Sequence, residues 1–508
     1  MRKGSHSPLS ATGRSAGILM HPSSLPGNEG IGTLGEPSRN FLRFLKESGQ
    51  RFWQVLPLGP TGYGDSPYQC FSSAAGNPYL IDLSELASAG WLDPALLHGA
   101  PGEGHKVDFG QLIPWKMERL RKAWAGFKAS AGATDREALE SFIYTESSWL
   151  HDFSLFMALK LKFDQRPWYE WPEQLRLRDP EALRSAQASL QEEVDFHAFL
   201  QYVFFRQWEA LREKAQESGI RIIGDIPLYV ARDSADAWAG PEVFLFDEAM
   251  HPTQVAGVPP DYFSATGQLW GNPVFDWDYL EHSGYAWWIE RIRRNLRMAD
   301  LIRIDHFRGL EAYWAVPFGE ETAVNGQWLP ARGRKMLEAV REALGTVPLI
   351  AEDLGDISEE VYALRDDFEL PGMVVMQFAF DGNRRNIHLP YLHRRNSLAY
   401  TGTHDNDTLN GWLASLAPET MHWLKDYFGC AEHSLGNAVL RAALASVAEL
   451  CIVPFQDWLG LDSSSRMNAP GTLGGNWTWR CSEAQLGNDL TKRIQELTEI
   501  YGRLGHRE

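Results

Sequence analysis

The sequence predicts an α/β fold, in the form of a (β/α)8 TIM barrel with inserted, mainly helical subdomains. Two patterns support this prediction. Short apolar runs alternate with amphipathic helical patterns, and a polar residue or loop follows each run. Alternation of this kind is typical of parallel strands joined by crossover helices, and a closed barrel is the simplest arrangement for eight of them.

Eight short apolar runs are the candidate strands. They occupy residues 17–20, 52–57, 221–226, 301–304, 349–351, 373–378, 398–401 and 450–454. Stretches with apolar residues at helical spacing lie between them and are the candidate crossover helices. The clearest of these stretches are residues 41–47, 198–215, 286–298, 334–343 and 359–364.

The spacing of the strands predicts a barrel over residues 17–508 that follows a polar leader, residues 1–16, and contains two insertions. The chain between the second and third strands is far too long for one crossover. We therefore expect a helical subdomain at about residues 83–193. A second insertion, at about residues 232–279, is rich in proline, glycine and aromatic residues, and we expect it to form part of a substrate groove.

The composition excludes several classes of protein. The formal net charge of −18 argues against a nucleic-acid or anionic-membrane partner, because both bind clustered lysine and arginine. The four cysteines, Cys70, Cys430, Cys451 and Cys481, are far apart and form no CxxC pair, so we expect reduced thiols. The first fifteen residues lack the apolar stretch of a secretory signal, and no segment is apolar enough to span a bilayer, which favours the cytoplasm.

A polar residue follows each candidate strand, at the end where barrel enzymes place their chemistry. These residues are His21, the loop 62–65, Asp225, Asp305, Glu352, Asp381, the pair His404 and Asp405, and the pair Gln456 and Asp457. One polar residue after one strand carries little weight, but eight along one rim favour an active site. The alternative is a structural network of ion pairs.

Three of these carboxylates form a candidate catalytic set. The two-residue period of a strand puts Arg303 and Asp305 on the same side, where the guanidinium keeps the carboxylate ionised, as a nucleophile requires. Glu352 follows the next strand, and a neighbouring carboxylate would raise its pKa toward the range of a general acid. Adjacent strands lie roughly 4.8 Å apart, which fits the carboxyl separation of about 5 to 5.5 Å in retaining glycoside chemistry. Asp405 can hold sugar hydroxyls and adds like charge to the pair.

At these residues the sequence resembles the amylomaltases, also called disproportionating enzymes or 4-alpha-glucanotransferases, within the alpha-amylase clan. The resemblance extends from about Gly17 to Trp479, and nine groups of motifs match in order. They are LPG at 25–27 with GIGT at 30–33, PLGPTGYGDSPY at 57–68, GDIP at 224–227, GVPPDYFS at 257–264, WGN at 270–272, RIDHFRG at 303–309, AEDLG at 351–355, TGTHD at 401–405, and RMN at 466–468 with PGT at 470–472.

The resemblance implies the same catalytic set as the residues themselves do. It implies that Asp305 is the nucleophile, Glu352 the acid/base and Asp405 the transition-state stabiliser. Neither the polar leader nor the bulky residues Phe455 and Trp458, which depart from the family pattern, touch this set.

The resemblance also implies a set of substrate-binding residues. Arg303 and His404 bind at the donor subsite, Asp225 holds hydroxyls there, and Tyr63 stacks on the donor glucose; the alternative for Tyr63 is a turn aromatic packed on the rim. Asn468 and Trp477 are expected to complete the groove. The other substrate-binding residues that we expect are Asp65, Asp261, Tyr262, Phe263, Gln268, Trp270, His306, Asp381 and Asn476.

The loop 257–271 bears on the choice between transfer and hydrolysis. Two adjacent prolines stiffen it, and its aromatic residues Tyr262, Phe263 and Trp270 offer apolar surface to close over the acceptor site. Excluding water from a glycosyl-enzyme lets a sugar hydroxyl react instead. The alternative is an ordinary hydrophobic plug.

We therefore expect a 4-alpha-glucanotransferase that moves α-1,4-glucan segments between maltooligosaccharides or starch-like glucans, with glucose or oligosaccharides as acceptors. We expect no cofactor, and no metal because no oxygen-rich loop of the D-x-D-x-D type occurs. Two alternatives remain open: an α-glucan hydrolase of the same clan, and a catalytically inactive glucan-binding protein.

Overall fold

The strands in the described part of the chain form two sheets. The computed structural model describes residues 7–9, 13–102, 104–260, 264–472 and 474–504. The strands within these residues are β1 (Ser15–Leu19), β2 (Phe52–Gln54), β3 (Arg221–Ile226), β4 (Gln254–Val258), β5 (Gln268–Pro273), β6 (Leu301–Ile304), β7 (Ala312–Pro317), β8 (Gln327–Pro330), β9 (Leu349–Ala351), β10 (Gly372–Val375), β11 (Ser397–Tyr400) and β12 (Leu450–Pro454).

The larger sheet is an eight-stranded parallel barrel. Its strand order is β10-β11-β12-β1-β2-β3-β6-β9, and each neighbouring pair is parallel. The two end strands meet where the backbone N–H of Ala351 in β9 donates to the carbonyl of Pro371, directly before β10, over 2.9 Å. This bond brings the sheet nearly to closure, and the predicted (β/α)8 barrel is confirmed.

All eight predicted barrel strands are present, and two are shorter than their apolar runs. β2 ends at Gln54, and β10 ends at Val375, where a 3-10 helix, Met376–Phe378, follows. Val55 and Leu56 are each 1% exposed although they lie beyond β2. An apolar run at these strand ends therefore predicts which residues are buried, but it overestimates the length of the strand.

The α-helices connect the strands and cover the barrel. Those in the described residues are α1 (Glu36–Glu47), α2 (Leu83–Ser88), α3 (Phe109–Ser130), α4 (Ala133–Thr145), α5 (Ser147–Lys162), α6 (Glu173–Arg176), α7 (Pro180–Ser189), α8 (Gln191–Glu217), α9 (Ala235–Ala239), α10 (Trp277–His282), α11 (Ala286–Met298), α12 (Gly333–Leu344), α13 (Glu359–Asp367), α14 (Leu409–Ser415), α15 (Pro418–Phe428), α16 (Leu435–Ala445), α17 (Phe455–Leu459) and α18 (Asn488–Ile500). Within the same residues, no helix is long and apolar enough to cross a membrane.

Helix α11 shows how the amphipathic pattern builds the barrel wall. Trp288 and Ile292, four residues apart, are fully buried, and the helix packs against β3 and β6. Residues three and four apart share one face of a helix, so this apolar spacing directs α11 onto the two strands that carry much of the site.

The chain between β2 and β3 is mainly helical and includes α2 to α8. Its last helix, α8, continues without a break from Gln191 to Glu217 and contacts both α5 and β3. The proposed subdomain boundary at residue 193 falls inside the first turn of this helix. One helix therefore belongs both to the inserted segment and to the barrel wall.

A second, antiparallel sheet was not predicted from the sequence. Its strand order is β5-β4-β7-β8. β4 and β5 follow β3 and lie within the proposed insertion 232–279, whereas β7 and β8 follow β6 and come from outside it. Glycine and proline within these strands weaken the alternating pattern by which a strand is recognised.

Candidate active site

Arg303 joins two of the predicted carboxylates. It lies in β6 and is 3% exposed. Its Nη1 donates to both oxygens of Asp225, each at 2.8 Å, and its Nη2 lies 2.9 Å from Oδ1 of Asp305. Burial by itself lowers the pKa of an arginine, but these two carboxylates raise the pKa of Arg303 overall. The guanidinium therefore stays charged and fixes both carboxylates.

Strand register brings Asp305 and Glu352 to adjacent places on the rim. Ile304 of β6 pairs with Ala351 of β9, and Asp305 and Glu352 are the next residue of each strand. The backbone N–H of His306 donates to Oε2 of Glu352 over 2.7 Å, and that of Phe307 donates to the carbonyl of Glu352 over 3.1 Å. The segment that follows Asp305 is thus hydrogen-bonded directly to Glu352.

Glu352 is half-buried and has a strongly raised pKa. Burial is the largest cause, Asp305 adds to it, and Arg303 opposes it, so that the pKa of Glu352 reaches about 8. The neighbouring carboxylate acts in the expected direction, but burial, which the sequence argument did not include, contributes more. At neutral pH Glu352 is mostly protonated and can act as an acid.

Asp405 is held at the C-terminal end of β11. The side-chain amide of Asn468 donates to Oδ1 of Asp405 over 2.6 Å, and Nε2 of His404 lies 3.4 Å from the same oxygen. Arg466 donates to the backbone carbonyl of Asp405 over 2.6 Å. The carboxylate is 44% exposed, so it is fixed by neighbours and open on one side.

Tyr68 links the two ends of the cluster and is missing from the predicted site. Its hydroxyl donates to Oδ2 of Asp225 over 2.9 Å, and its ring stacks on His404 with centroids 5.0 Å apart and an interplanar angle of 14°. Trp477 packs against both rings. Burial and Asp225 raise the pKa of Tyr68, so the phenol stays protonated. Its place at the end of the motif 57–68 is the signal that could have identified it.

Trp270 and His306 form a second group beside Glu352. Their rings meet edge to face with centroids 4.8 Å apart, and the indole N–H of Trp270 donates to Oε1 of Gln268 over 3.2 Å. Burial lowers the pKa of His306 to about 4, so the imidazole is neutral at physiological pH. His306 has a left-handed backbone, with φ of 51°, and this conformation accompanies the bond from its N–H to Glu352.

Other predicted residues make contacts away from this cluster. The carboxylate of Asp381 is exposed and accepts from the backbone of Asn383. The amide of Asn476 bonds to Ala469 and Thr472 within its own loop. Asp65 lines a small cavity with His21 and Trp477, and burial raises the pKa of Asp65. The side chain of Tyr63 and the residues Asp261, Tyr262 and Phe263 lie outside the described residues.

Some strand-end carboxylates serve the structure. Asp353 pairs with the buried Arg365 and accepts from the N–H of Met373 over 2.8 Å. Asp457 accepts from Thr401 over 2.5 Å and from the N–H of Leu409 over 2.7 Å, and so ties together both ends of the loop that carries Asp405. The ion-pair alternative considered from the sequence thus describes Asp353. Asp305 also pairs with Arg303, but it is half-exposed beside Glu352.

Comparison with known proteins agrees with this geometry. A family model described as 4-alpha-glucanotransferase matches residues 20–486. The chain belongs to the 4-alpha-glucanotransferase family. The match spans the barrel strands from β2 to β12 and confirms the resemblance seen in the nine groups of motifs.

Relatives of this 4-alpha-glucanotransferase are similar over nearly the whole chain. The 4-alpha-glucanotransferase of Thermus thermophilus is 50% identical over 502 residues, which covers 97% of this chain and 99% of the relative. The enzyme of Clostridium butyricum is 45% identical, over 95% of this chain and 100% of the relative. The chloroplastic/amyloplastic enzyme of Solanum tuberosum is 41% identical, over 97% of this chain and 87% of the relative.

A solved structure supports the same assignment. The amylomaltase from Streptococcus agalactiae in complex with acarbose matches this 4-alpha-glucanotransferase with a TM-score of 0.94 and 40% identity, over 97% of this chain and 100% of the other. The amylomaltase from Corynebacterium glutamicum, 19% identical with a TM-score of 0.80, shares the fold.

Proposed function

We propose that this 4-alpha-glucanotransferase transfers α-1,4-glucan segments by a retaining double displacement, with Asp305 as nucleophile and Glu352 as acid/base. The observation that carries the proposal is the hydrogen bond from His306 to Glu352 across two paired strands, which fixes the two carboxylates as neighbours. Carboxyl groups on adjacent strand ends fit the close spacing, about 5 to 5.5 Å, of retaining glycosidases.

In the first step a carboxylate oxygen of Asp305 attacks the anomeric carbon of the donor glucan. The C1–O bond to the leaving segment breaks, and Glu352 gives its proton to the departing oxygen. In the second step the acceptor hydroxyl gives its proton to Glu352 and attacks the same carbon, and the ester bond to Asp305 breaks. The two inversions restore the original configuration.

Two backbone N–H groups hold the carboxyl of Glu352. Its Oε2 accepts from His306 over 2.7 Å and its Oε1 accepts from Leu354 over 3.1 Å. The backbone donor at His306 favours the carboxylate form, whereas burial and Asp305 favour the acid. We propose that donor binding replaces the longer bond, to Leu354, and frees that oxygen to carry the proton to the glycosidic oxygen.

The donor sugar is proposed to lie over the cluster of Asp225, Arg303, Tyr68 and His404. Tyr68, Asp225 and Arg303 present charged and hydroxyl groups from three neighbouring parts of the rim, joined by hydrogen bonds of 2.8 to 2.9 Å at Asp225. His404, which follows β11, stacks on the ring of Tyr68. Asp405 is proposed to stabilise the positive charge that develops at the anomeric carbon, and the bond from Asn468 orients it.

The acceptor is proposed to bind beside Trp270, His306 and Gln268, at the start of β5. The segment between β4 and β5 carries the aromatic residues expected to close over this side, and its exclusion of water would favour transfer.

Donors are maltooligosaccharides and longer α-1,4-glucans, and acceptors are glucose or oligosaccharides. The inserted segments, about 83–193 and 232–279, are proposed to shape the groove, and the four unpaired cysteines support a cytoplasmic location.

Incubation with maltotriose tests the proposal. Transfer yields glucose together with a ladder of oligomers longer than the substrate, and proton NMR of these longer oligomers shows only α-linkages because configuration is retained. Products shorter than maltotriose alone would support the hydrolase alternative, and new β-linkages in the longer oligomers would contradict the double displacement.

A further inference from the structure

We infer that Arg291, a buried residue of α11, is a positioning residue for the donor site and acts through the turn that carries Asp225. Arg291 is 3% exposed. It donates from Nη1 to the carbonyl of Leu228 over 2.8 Å and from Nη2 to the carbonyl of Pro227 over 2.5 Å. Both carbonyls lie within three residues of Asp225 in the chain.

Three successive backbone carbonyls of this turn accept hydrogen bonds from Asp305 or Arg291. The carbonyl of Ile226 accepts from the backbone N–H of Asp305 over 2.9 Å, and the next two accept from Arg291. The turn after β3 is therefore held on one side by the backbone of the proposed nucleophile and on the other by a guanidinium from outside the barrel. Asp225 is fixed between them by its bonds to Arg303 and Tyr68.

The burial of Arg291 is costly, which argues that its contacts matter. None of the hydrogen bonds of its guanidinium to described residues goes to a carboxylate, and its Nε has no partner among those residues. Burial lowers the pKa of Arg291 to about 10. Asp236 and the rings of Trp287 and Trp288 favour the charged form, but burial outweighs them. Burying this cation therefore carries a net cost, and a neutral side chain would be favoured here if filling the space were its only role.

A small cavity connects Arg291 with the donor site. It has a volume of about 40 Å³, and its lining includes Arg291, Asp225, Tyr68 and Cys70. A space of this size can hold water, and it also leaves the turn free to shift when its donors are removed. We therefore expect loss of Arg291 to disturb Asp225 and Tyr68 before it disturbs the acceptor side.

The inference rests on the proposed placement of the donor sugar at Asp225, and a double-mutant cycle tests both. The donor is 4-nitrophenyl α-maltotrioside and the acceptor is glucose, so that the KM of each is measured separately. Arg291→Met is expected to raise the donor KM about tenfold and to leave the acceptor KM within about twofold. Arg291→Lys, which can serve one carbonyl, is expected to give an intermediate donor KM, and it also serves if the methionine variant fails to fold.

The double variant decides whether Arg291 acts through Asp225. If it does, Asp225→Asn with Arg291→Met has a donor KM within about twofold of Asp225→Asn alone. The control is Arg293→Met on the exposed face of the same helix, where Arg293 pairs with Glu290; it is expected to match the parent. Additive effects in the double variant, or a lower melting temperature with an unchanged donor KM in Arg291→Met and Arg291→Lys, would overturn the inference alone. An unchanged donor KM in Asp225→Asn would remove the donor placement and the inference with it.

Discussion

The backbone N–H of His306 donates to Oε2 of Glu352 over 2.7 Å, so the residue that follows Asp305 contacts the carboxylate at the end of the neighbouring strand. This bond connects two short sequence motifs, RIDHFRG and AEDLG, that are more than forty residues apart. It places two carboxyl groups in different surroundings side by side: Asp305, paired with Arg303, and Glu352, whose pKa is raised. Division of labour between two carboxyls is what a double displacement needs.

Replacing Asp305 with Asn should abolish transfer and preserve sugar binding. The amide keeps the shape of the side chain but cannot attack the anomeric carbon, so kcat should fall at least about a thousandfold. Maltotriose binding by calorimetry and glucose release from the same preparation measure the two effects. Asp367→Asn, which alters an exposed pair with Arg334, is the matched control. Transfer at the parental rate by Asp305→Asn would refute its role.

The pH dependence should follow Glu352 on the alkaline side. The acid form donates the proton in the first step, and it is lost as the pH rises through about 8, so kcat/KM with maltotriose should fall there. A glycosyl fluoride donor needs less protonation of its leaving group, so its profile should fall less over the same range. If kcat/KM fell equally for the two donors above about pH 8, a group other than Glu352 would control the loss of activity on the alkaline side.

Removing the amide of Asn468 should weaken catalysis through Asp405. Asn468→Ala takes away the 2.6 Å bond to Oδ1, and we expect kcat/KM to fall about tenfold or more. Asn468→Asp should lose more, because it sets a second negative charge against Asp405. Asn325→Ala, an exposed residue bonded to Glu320, is the control. Equal activity of the alanine and aspartate variants would argue against an electrostatic role.

Replacing Asp457 with Asn should stabilise the protein at neutral pH. Burial raises the pKa of Asp457 from 3.8 to about 6, so the folded protein binds this proton more tightly than the unfolded chain does. The contribution of Asp457 to stability therefore falls as the pH rises from about 4 to 6 and stays low above that range. An asparagine can keep both hydrogen bonds, to Thr401 and to Leu409, without a buried charge.

We expect Asp457→Asn to raise the melting temperature by about 3 °C at pH 7.5 and by little at pH 4, as measured by scanning fluorimetry. A gain of the same size at both pH values would show that the effect does not come from the charge. A lower melting temperature of Asp457→Asn at pH 7.5 would mean that the ionised carboxylate is needed to hold the loop that carries Asp405.

Strand positions and the carboxylates at the strand ends could be predicted because both depend on short-range patterns. A buried parallel strand is an apolar run, and the residue after it faces the rim, so Asp225, Asp305 and Glu352 follow from position alone. The same rule locates Asp381 less closely, because a 3-10 helix separates this residue from β10 and it lies in an exposed turn.

Tyr68 was missed, and so was the contact between the expected groove residue Asn468 and Asp405, because both depend on contacts between distant segments. Tyr68 reaches Asp225 across 157 positions and Asn468 reaches Asp405 across 63, and no periodicity encodes such distances. The dominance of burial in the pKa of Glu352 also requires the packed structure. The small antiparallel sheet was missed because it combines strands from two separate connections of the barrel.

Covalent trapping tests the central claim most directly. Glu352→Gln should still be glycosylated by α-maltosyl fluoride, since fluoride leaves without strong acid assistance, but it lacks the base that activates the acceptor. Intact-protein mass spectrometry should then show one added maltosyl group, and peptide mapping should locate it on Asp305. An adduct on a different residue, or none in this variant while the parent turns the fluoride over, would contradict the account.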